Sequence, residues 1–102
     1  MNIPDKIKKL VEEDIKQLPP HLQSWVNEHL ISPREIKLAI DSGGNEYSEY
    51  WLVTDNIGKS DSSYRVVYDE SQNEFGLECT LQNGLNWLMG IYGTFSESIK
   101  NM

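Results

Sequence analysis

Basic residues are scarce in this chain and cysteine is nearly absent. Nine Lys and Arg stand against sixteen Asp and Glu in 102 residues, a formal net charge of −7. Nucleic-acid affinity comes from Lys and Arg that displace counterions from phosphates, so this balance argues against a nucleic-acid partner. The single cysteine, Cys79, excludes an internal disulfide and agrees with a reducing compartment. No apolar run approaches the roughly 20 residues that cross a bilayer, and Met1-Asn2-Ile3-Pro4-Asp5 lacks the basic-then-apolar pattern of a secretory signal. The expected setting is cytoplasmic, with no membrane partner.

Sites for familiar chemistry are also missing. His21 and His29 share a helical face but stand eight residues apart, about 12 Å along a helix and too far for two ligands of one metal ion. The loop Asp55-Asn56-Ile57-Gly58-Lys59-Ser60-Asp61 fits neither the calcium-loop spacing nor a phosphate loop, which needs a glycine where Val53 stands. Cys79 lies between Leu77 and Leu81 in an alternating run, the place of a structural thiol and not a nucleophile. Asp69 and Glu74 are a carboxylate pair, but an exposed strand end offers no apolar pocket to raise either for acid catalysis. No catalytic residue, metal or cofactor is assigned.

What the chain does have is alternation. Tyr64, Val66 and Tyr68, then Phe75, Leu77, Cys79 and Leu81, then Leu85, Trp87 and Met89 form three period-two apolar sets, each one face of a strand. A one-residue slip would send a set to the wrong face, and this fixes the expected turns. Glu70 to Asn73 becomes a four-residue loop that pairs Tyr68 with Phe75, Val66 with Leu77 and Arg65 with Glu78. Gln82-Asn83-Gly84 becomes a three-residue loop, with Gly84 in a left-handed bulge, that pairs Leu81 with Leu85 and Cys79 with Trp87. The same register sets Gly76 across from both Val67 and Gly90. The apolar face is expected to be core. The reverse face carries Arg65, Val67, Glu78, Asn86 and Leu88, and its mid-strand glycine leaves a shallow gap, for a partner or for Trp51 to cover.

Around this stretch, Ile7, Leu10, Val11, Ile15 and Leu18 mark an amphipathic helix begun at Pro4-Asp5 and ended at Pro19-Pro20. A second helix is expected from about Pro20 to Leu30, burying Leu22, Trp25, Val26 and Leu30. Ile36, Leu38 and Ile40 alternate as a strand, and Glu46 to Thr54 is another, with apolar residues on both faces. Thr94 with Glu97 three residues later starts a short C-terminal helix. The expected fold is a single α+β domain over residues 1–102: a helical hairpin over 1–31, an antiparallel meander of about five strands over 34–90, and a C-terminal helix over 94–102.

The charge and the aromatic residues concentrate together. Between Glu46 and Cys79 eight acids face only Lys59 and Arg65, and nine of the ten aromatics lie from Tyr47 onward. The favoured expectation is a non-enzymatic protein-binding module, by analogy of class with small immunity or inhibitor proteins, that takes a basic protein through Tyr47, Glu49, Trp51, Arg65, Asp69, Glu70, Glu74 and Glu78. The alternative is a small-molecule-binding or enzymatic domain with a pocket between helices and sheet, bordered by Trp25, Tyr64 and Trp87. An open meander would also leave two strand edges, through which a homodimer could form.

Overall fold

The structure is a computed structural model that describes residues 2–41, 43–55, 64–80 and 86–101. Its order is α1 (Ile3–Asp14), a 3₁₀ turn (Ile15–Gln17), α2 (Pro20–Asn27), β1 (Leu30–Ala39), β2 (Tyr47–Thr54), β3 (Tyr64–Asp69), β4 (Glu74–Thr80), β5 (Asn86–Gly93) and α3 (Phe95–Lys100). This is the expected α+β architecture. No helix among the described residues is long and apolar enough to cross a membrane.

Local chemistry sets the helix ends. Asn2 accepts a hydrogen bond from the Asp5 amide at 2.9 Å, and Pro4 occupies the first turn of α1, where a missing donor costs nothing. Thr94 caps α3 by accepting from the Glu97 amide at 3.2 Å, as expected. A second acceptor for α3 comes from far away in sequence, because Asp14 Oδ2 takes the Ser96 amide at 2.5 Å and ties the end of α1 to the start of α3.

The five strands follow one another in meander order, and the sheet then closes. Ala39 of β1 lies beside Trp87 of β5 in parallel register, so the strands form a barrel. An odd number of meander strands leaves first and last pointing the same way, which makes a parallel closing contact obligatory. The expected open sheet with two free outer edges is thereby corrected.

Closure gives the two sheet faces different environments. Val53, Val66, Tyr68, Phe75 and Leu77 pack against Ile7, Val11, Ile15, Leu18 and Val26 of the N-terminal segment and Phe95 and Ile99 of α3. Within this core, Phe75 lies 5.0 Å from the Tyr68 ring and 5.7 Å from the Phe95 ring, in tilted and edge-on contacts. The apolar face is therefore core, as the alternation predicts. The reverse face is buried too: Leu38, Tyr50, Leu52 and Val67 cluster with Ile31, Ile36, Leu88 and Ile91. Among the described residues no helix side chain belongs to this second cluster, which is the barrel interior.

The register of β3 on β4 is the expected one throughout, from Tyr64 with Cys79 to Asp69 with Glu74. That of β4 on β5 holds from Thr80 with Asn86 to Glu78 with Leu88 and then shifts: Leu77 pairs with Gly90, Gly76 with Ile91 and Phe75 with Gly93. Met89 and Tyr92 are the extra residues, and both turn to the helix-side core. Gly76 thus faces Ile91 where Gly90 was expected. The Gln82-Asn83-Gly84 loop and its Leu81–Leu85 pair lie outside the described residues.

Element boundaries also move, and β5 runs on to Gly93, past the expected end of the sheet at residue 90. Helix α2 stops at Asn27, and Leu30 already pairs with Thr54 as the first residue of β1, where a helix end was expected. The next pair is Arg34 with Leu52, so β1 bulges across Ser32-Pro33. A bulge tolerates proline, which has no ladder donor to offer.

Candidate functional site

The ladder between β2 and β3 is short, with Trp51 beside Tyr68 and Leu52 beside Val67. Toward the start of β2 the chains part, because β3 turns into the loop at Glu70 while β2 continues along β1. The space between them is an open cleft of about 510 Å³, lined by Tyr47, Ser48, Glu49, Asp69, Glu70 and Ser71. Tyr47 is 54% exposed, and with Ile40 it is one of two exposed large hydrophobic side chains among the described residues. Trp51 is half-buried against the helix-side core, and its indole N–H donates to Oε2 of Glu70, one of the cleft's lining residues, at 3.4 Å.

The eight predicted residues divide by environment. Tyr47, Glu49, Asp69 and Glu70 share the cleft, with Trp51 joined through Glu70. Asp69 also has local work: its Oδ1 accepts from the Ser71 amide at 3.0 Å, the Ser71 hydroxyl at 2.7 Å and the Gln72 amide at 3.3 Å. This shapes the turn and leaves Glu49 and Glu70 as the freer carboxylates. Glu74 is exposed but lines a different cleft. Arg65 and Glu78 are paired, as expected, but they belong to the barrel interior, with Glu78 only 1% exposed. The reverse face is therefore not a surface, and the expected glycine gap is filled by Ile91, while Trp51 lies on the other side of the sheet. Ser48 and Ser71 in the cleft had no signal in the sequence beyond their acidic neighbours.

The second cleft, about 410 Å³, runs between α1, the β3–β4 turn and the start of α3. Leu10, Phe75 and Phe95 supply apolar surface, and Glu13, Asp14, Asn73 and Glu74 supply polar groups. Trp25, Tyr64 and Trp87 are not among its lining residues. Trp25 instead packs on the core and meets the His29 ring edge-on at 5.9 Å. His29 Nδ1 lies 2.6 Å from Asp55 Oδ1, and the Asp55 amide donates to the His29 carbonyl at 3.0 Å, so this histidine joins α2 to the end of β2. Among the described residues no cluster of three or more His, Cys, Asp and Glu is placed to hold a metal ion.

Among the described residues two weak acids are perturbed. Burial pushes the Tyr50 phenol up, the Ser48 hydrogen bond opposes this, and the Asp69 charge adds to it. Burial, and then the neighbouring Glu78, push the Cys79 thiol up. Both groups hold their protons more firmly in the folded chain than in the unfolded one, so their contribution to stability is complete below the unfolded values and lost as the pH rises through the folded ones. Urea midpoints are expected to fall as the pH passes about 8.5, the ordinary cysteine value, and to fall less in a Tyr50→Phe/Cys79→Ser double variant. Equal slopes in both proteins would contradict this assignment.

No known protein-family model, curated protein or solved structure matches the chain.

Proposed function

We propose that this protein is a non-enzymatic binding module that engages a basic protein at the cleft between β2 and the β3–β4 turn, in a cytoplasmic setting. The observation that carries the reading is the placement of Tyr47, more than half exposed, in one cleft with Glu49, Asp69 and Glu70. An exposed aromatic side chain supplies contact area at low entropic cost, and surrounding carboxylates steer a cationic partner and favour it over an acidic one. The chain's net charge of −7 acts in the same direction at long range. The mode of action is that of a small acidic inhibitor, which occupies a basic surface and needs no chemistry of its own.

Affinity capture from the source cells, with wild-type and Glu49→Gln/Glu70→Gln baits and mass spectrometry of what is retained, tests this. A basic protein held by the wild type and lost by the variant is expected, with association slowed on the order of 10-fold at low salt and a flatter salt dependence. A partner that both baits retain equally would overturn the reading.

One observation favours the alternative reading as a ligand-binding domain: the second cleft combines an apolar floor of Phe75 and Phe95 with the Glu13, Asp14 and Glu74 carboxylates. Asp14 is already engaged with the Ser96 amide, which reduces what converges there. Under this reading a small cationic aromatic compound would shift the amide resonances of Asn73, Gly93 and Thr94 and leave those of Tyr47 and Glu49 in place.

A further inference from the structure

The cleft beside β2 is bounded by a strand edge. Residues Tyr47 to Tyr50 are paired along one side with Ala39 to Ile36 of β1, and the pairing of β2 with β3 begins only at Trp51. Past the other end of that ladder a side chain takes over, since Thr54 Oγ1 accepts the Val66 amide at 2.9 Å. Over Tyr47, Ser48 and Glu49, then, the side of β2 that should meet β3 meets the cleft.

Which main-chain groups face it follows from the alternation of an antiparallel ladder. The Ile40 amide donates to the Glu46 carbonyl at 3.0 Å, and the Glu46 amide donates to Asp41 Oδ1 at 3.0 Å, so both main-chain groups of Glu46 point toward β1. Ser48 and Tyr50 repeat that direction, and Tyr47 and Glu49 point the opposite way, into the cleft. Outward N–H and C=O groups on an exposed edge are what an extended peptide pairs with when it adds a strand to a sheet.

We infer that the cleft receives an extended basic segment of the partner as an added strand on β2, paired with the main chain of Tyr47 and Glu49. This rests on the binding reading above and specifies how that binding occurs. A strand residue occupies roughly 3.4 by 4.8 by 10 Å, about 160 Å³, so a cleft of about 510 Å³ holds around three. Glu49, Asp69 and Glu70 line the same space and set the occupant's charge. A segment alternating Lys or Arg with β-branched residues meets those carboxylates. A second copy of this chain would bring like charges together along the shared edge, which destabilises cross-strand pairing.

The test uses the full-length, isotope-labelled protein and a synthetic peptide, acetyl-Lys-Thr-Lys-Val-Lys-Thr-Lys-amide, with two N-methylated forms that block one edge of the peptide or the other. The peptide is expected to slow hydrogen exchange at the Tyr47 and Glu49 amides at least 10-fold, and one N-methylated form to bind at least 10-fold more weakly than the other. Binding that depends on Glu49 and Glu70 but ignores both methylation patterns would overturn strand addition and leave the acidic-cleft reading intact. Loss of the acidic-cleft reading would show separately, as a partner captured equally by the Glu49→Gln/Glu70→Gln bait. Absence of any change at these amides at millimolar peptide also overturns strand addition. So does protection of them that grows with protein concentration alone and tracks a doubled sedimentation mass, which would make a second copy the occupant.

Discussion

Replacing Gly76 by alanine is expected to lower the unfolding free energy by about 3 kcal/mol, at the upper end of the usual cost of overpacking a filled core. The reason is local and geometric. A Cβ built at Gly76 would lie 2.3 Å from the Gly90 carbonyl oxygen and 2.8 Å from Ile91 Cδ1. The Ile91 methyl could rotate away, but the Gly90 carbonyl is part of the β4–β5 ladder and can retreat only if the ladder opens. For a domain of about 100 residues such a loss lowers the melting temperature by roughly 12–24 °C. Gly90→Ala is the internal control, since its added Cβ would meet the Tyr92 hydroxyl at 3.1 Å and ring at 3.2 Å, a side chain that can turn. Its expected cost is about 1 kcal/mol. Urea unfolding of the two variants measures the difference. A Gly76→Ala protein within about 0.5 kcal/mol of wild type would mean that β5 does not approach β4 as described.

That close approach also shows what could be read from the residue pattern and what could not. The β3–β4 hairpin was legible because alternation on both strands and a four-residue polar turn allow only one register with both apolar sets on the same face. The same argument carried from β4 into β5 as far as Leu88. Beyond it, Met89 and Tyr92 each add a residue, and an apolar residue added to an apolar strand leaves no mark on the pattern. The end of α2 was misplaced for a related reason. Leu30 stands four residues after Val26 and continues the helical stripe, yet it fits equally well as the first residue of β1 packed on the same core.

The candidate site was half legible. An acidic stretch with Tyr47 and Trp51 inside it is visible in the sequence, and four of its residues do meet in one cleft. Closure of the barrel is set by strand curvature and is not visible there, so the polar residues of the reverse face looked like surface. The one hint was β2, whose two faces both carry apolar residues: Trp51 and Val53 lie against the helix-side core, and Tyr50 and Leu52 lie in the barrel interior.

Closure changes most what is expected of Arg65 and Glu78. On an open sheet face this pair would contribute about 0.2–1 kcal/mol. Inside the barrel the Arg65 Nε and Nη2 groups both reach the same carboxylate oxygen of Glu78, and the two side chains are 19% and 1% exposed. Removing one partner of a buried pair leaves an uncompensated charge at a cost of about 3–5 kcal/mol, whereas replacing both by apolar residues of similar size is often close to neutral. The two single losses are not equivalent here. Arg65→Met leaves a carboxylate that is only 1% exposed without its partner, and the full cost is expected. Glu78→Leu strands a guanidinium on a long stem that is already partly exposed and can turn outward, so a smaller loss is expected. The Arg65→Met/Glu78→Leu double variant should recover most of the stability lost by Arg65→Met. A double-mutant cycle in urea at neutral pH measures all three. Additive losses, with the double variant the least stable, would mean that the pair is solvated and the barrel open at that end. The proposed binding of a basic partner at Glu49 and Glu70 is expected to survive in every variant that folds, because neither Arg65 nor Glu78 lines that cleft.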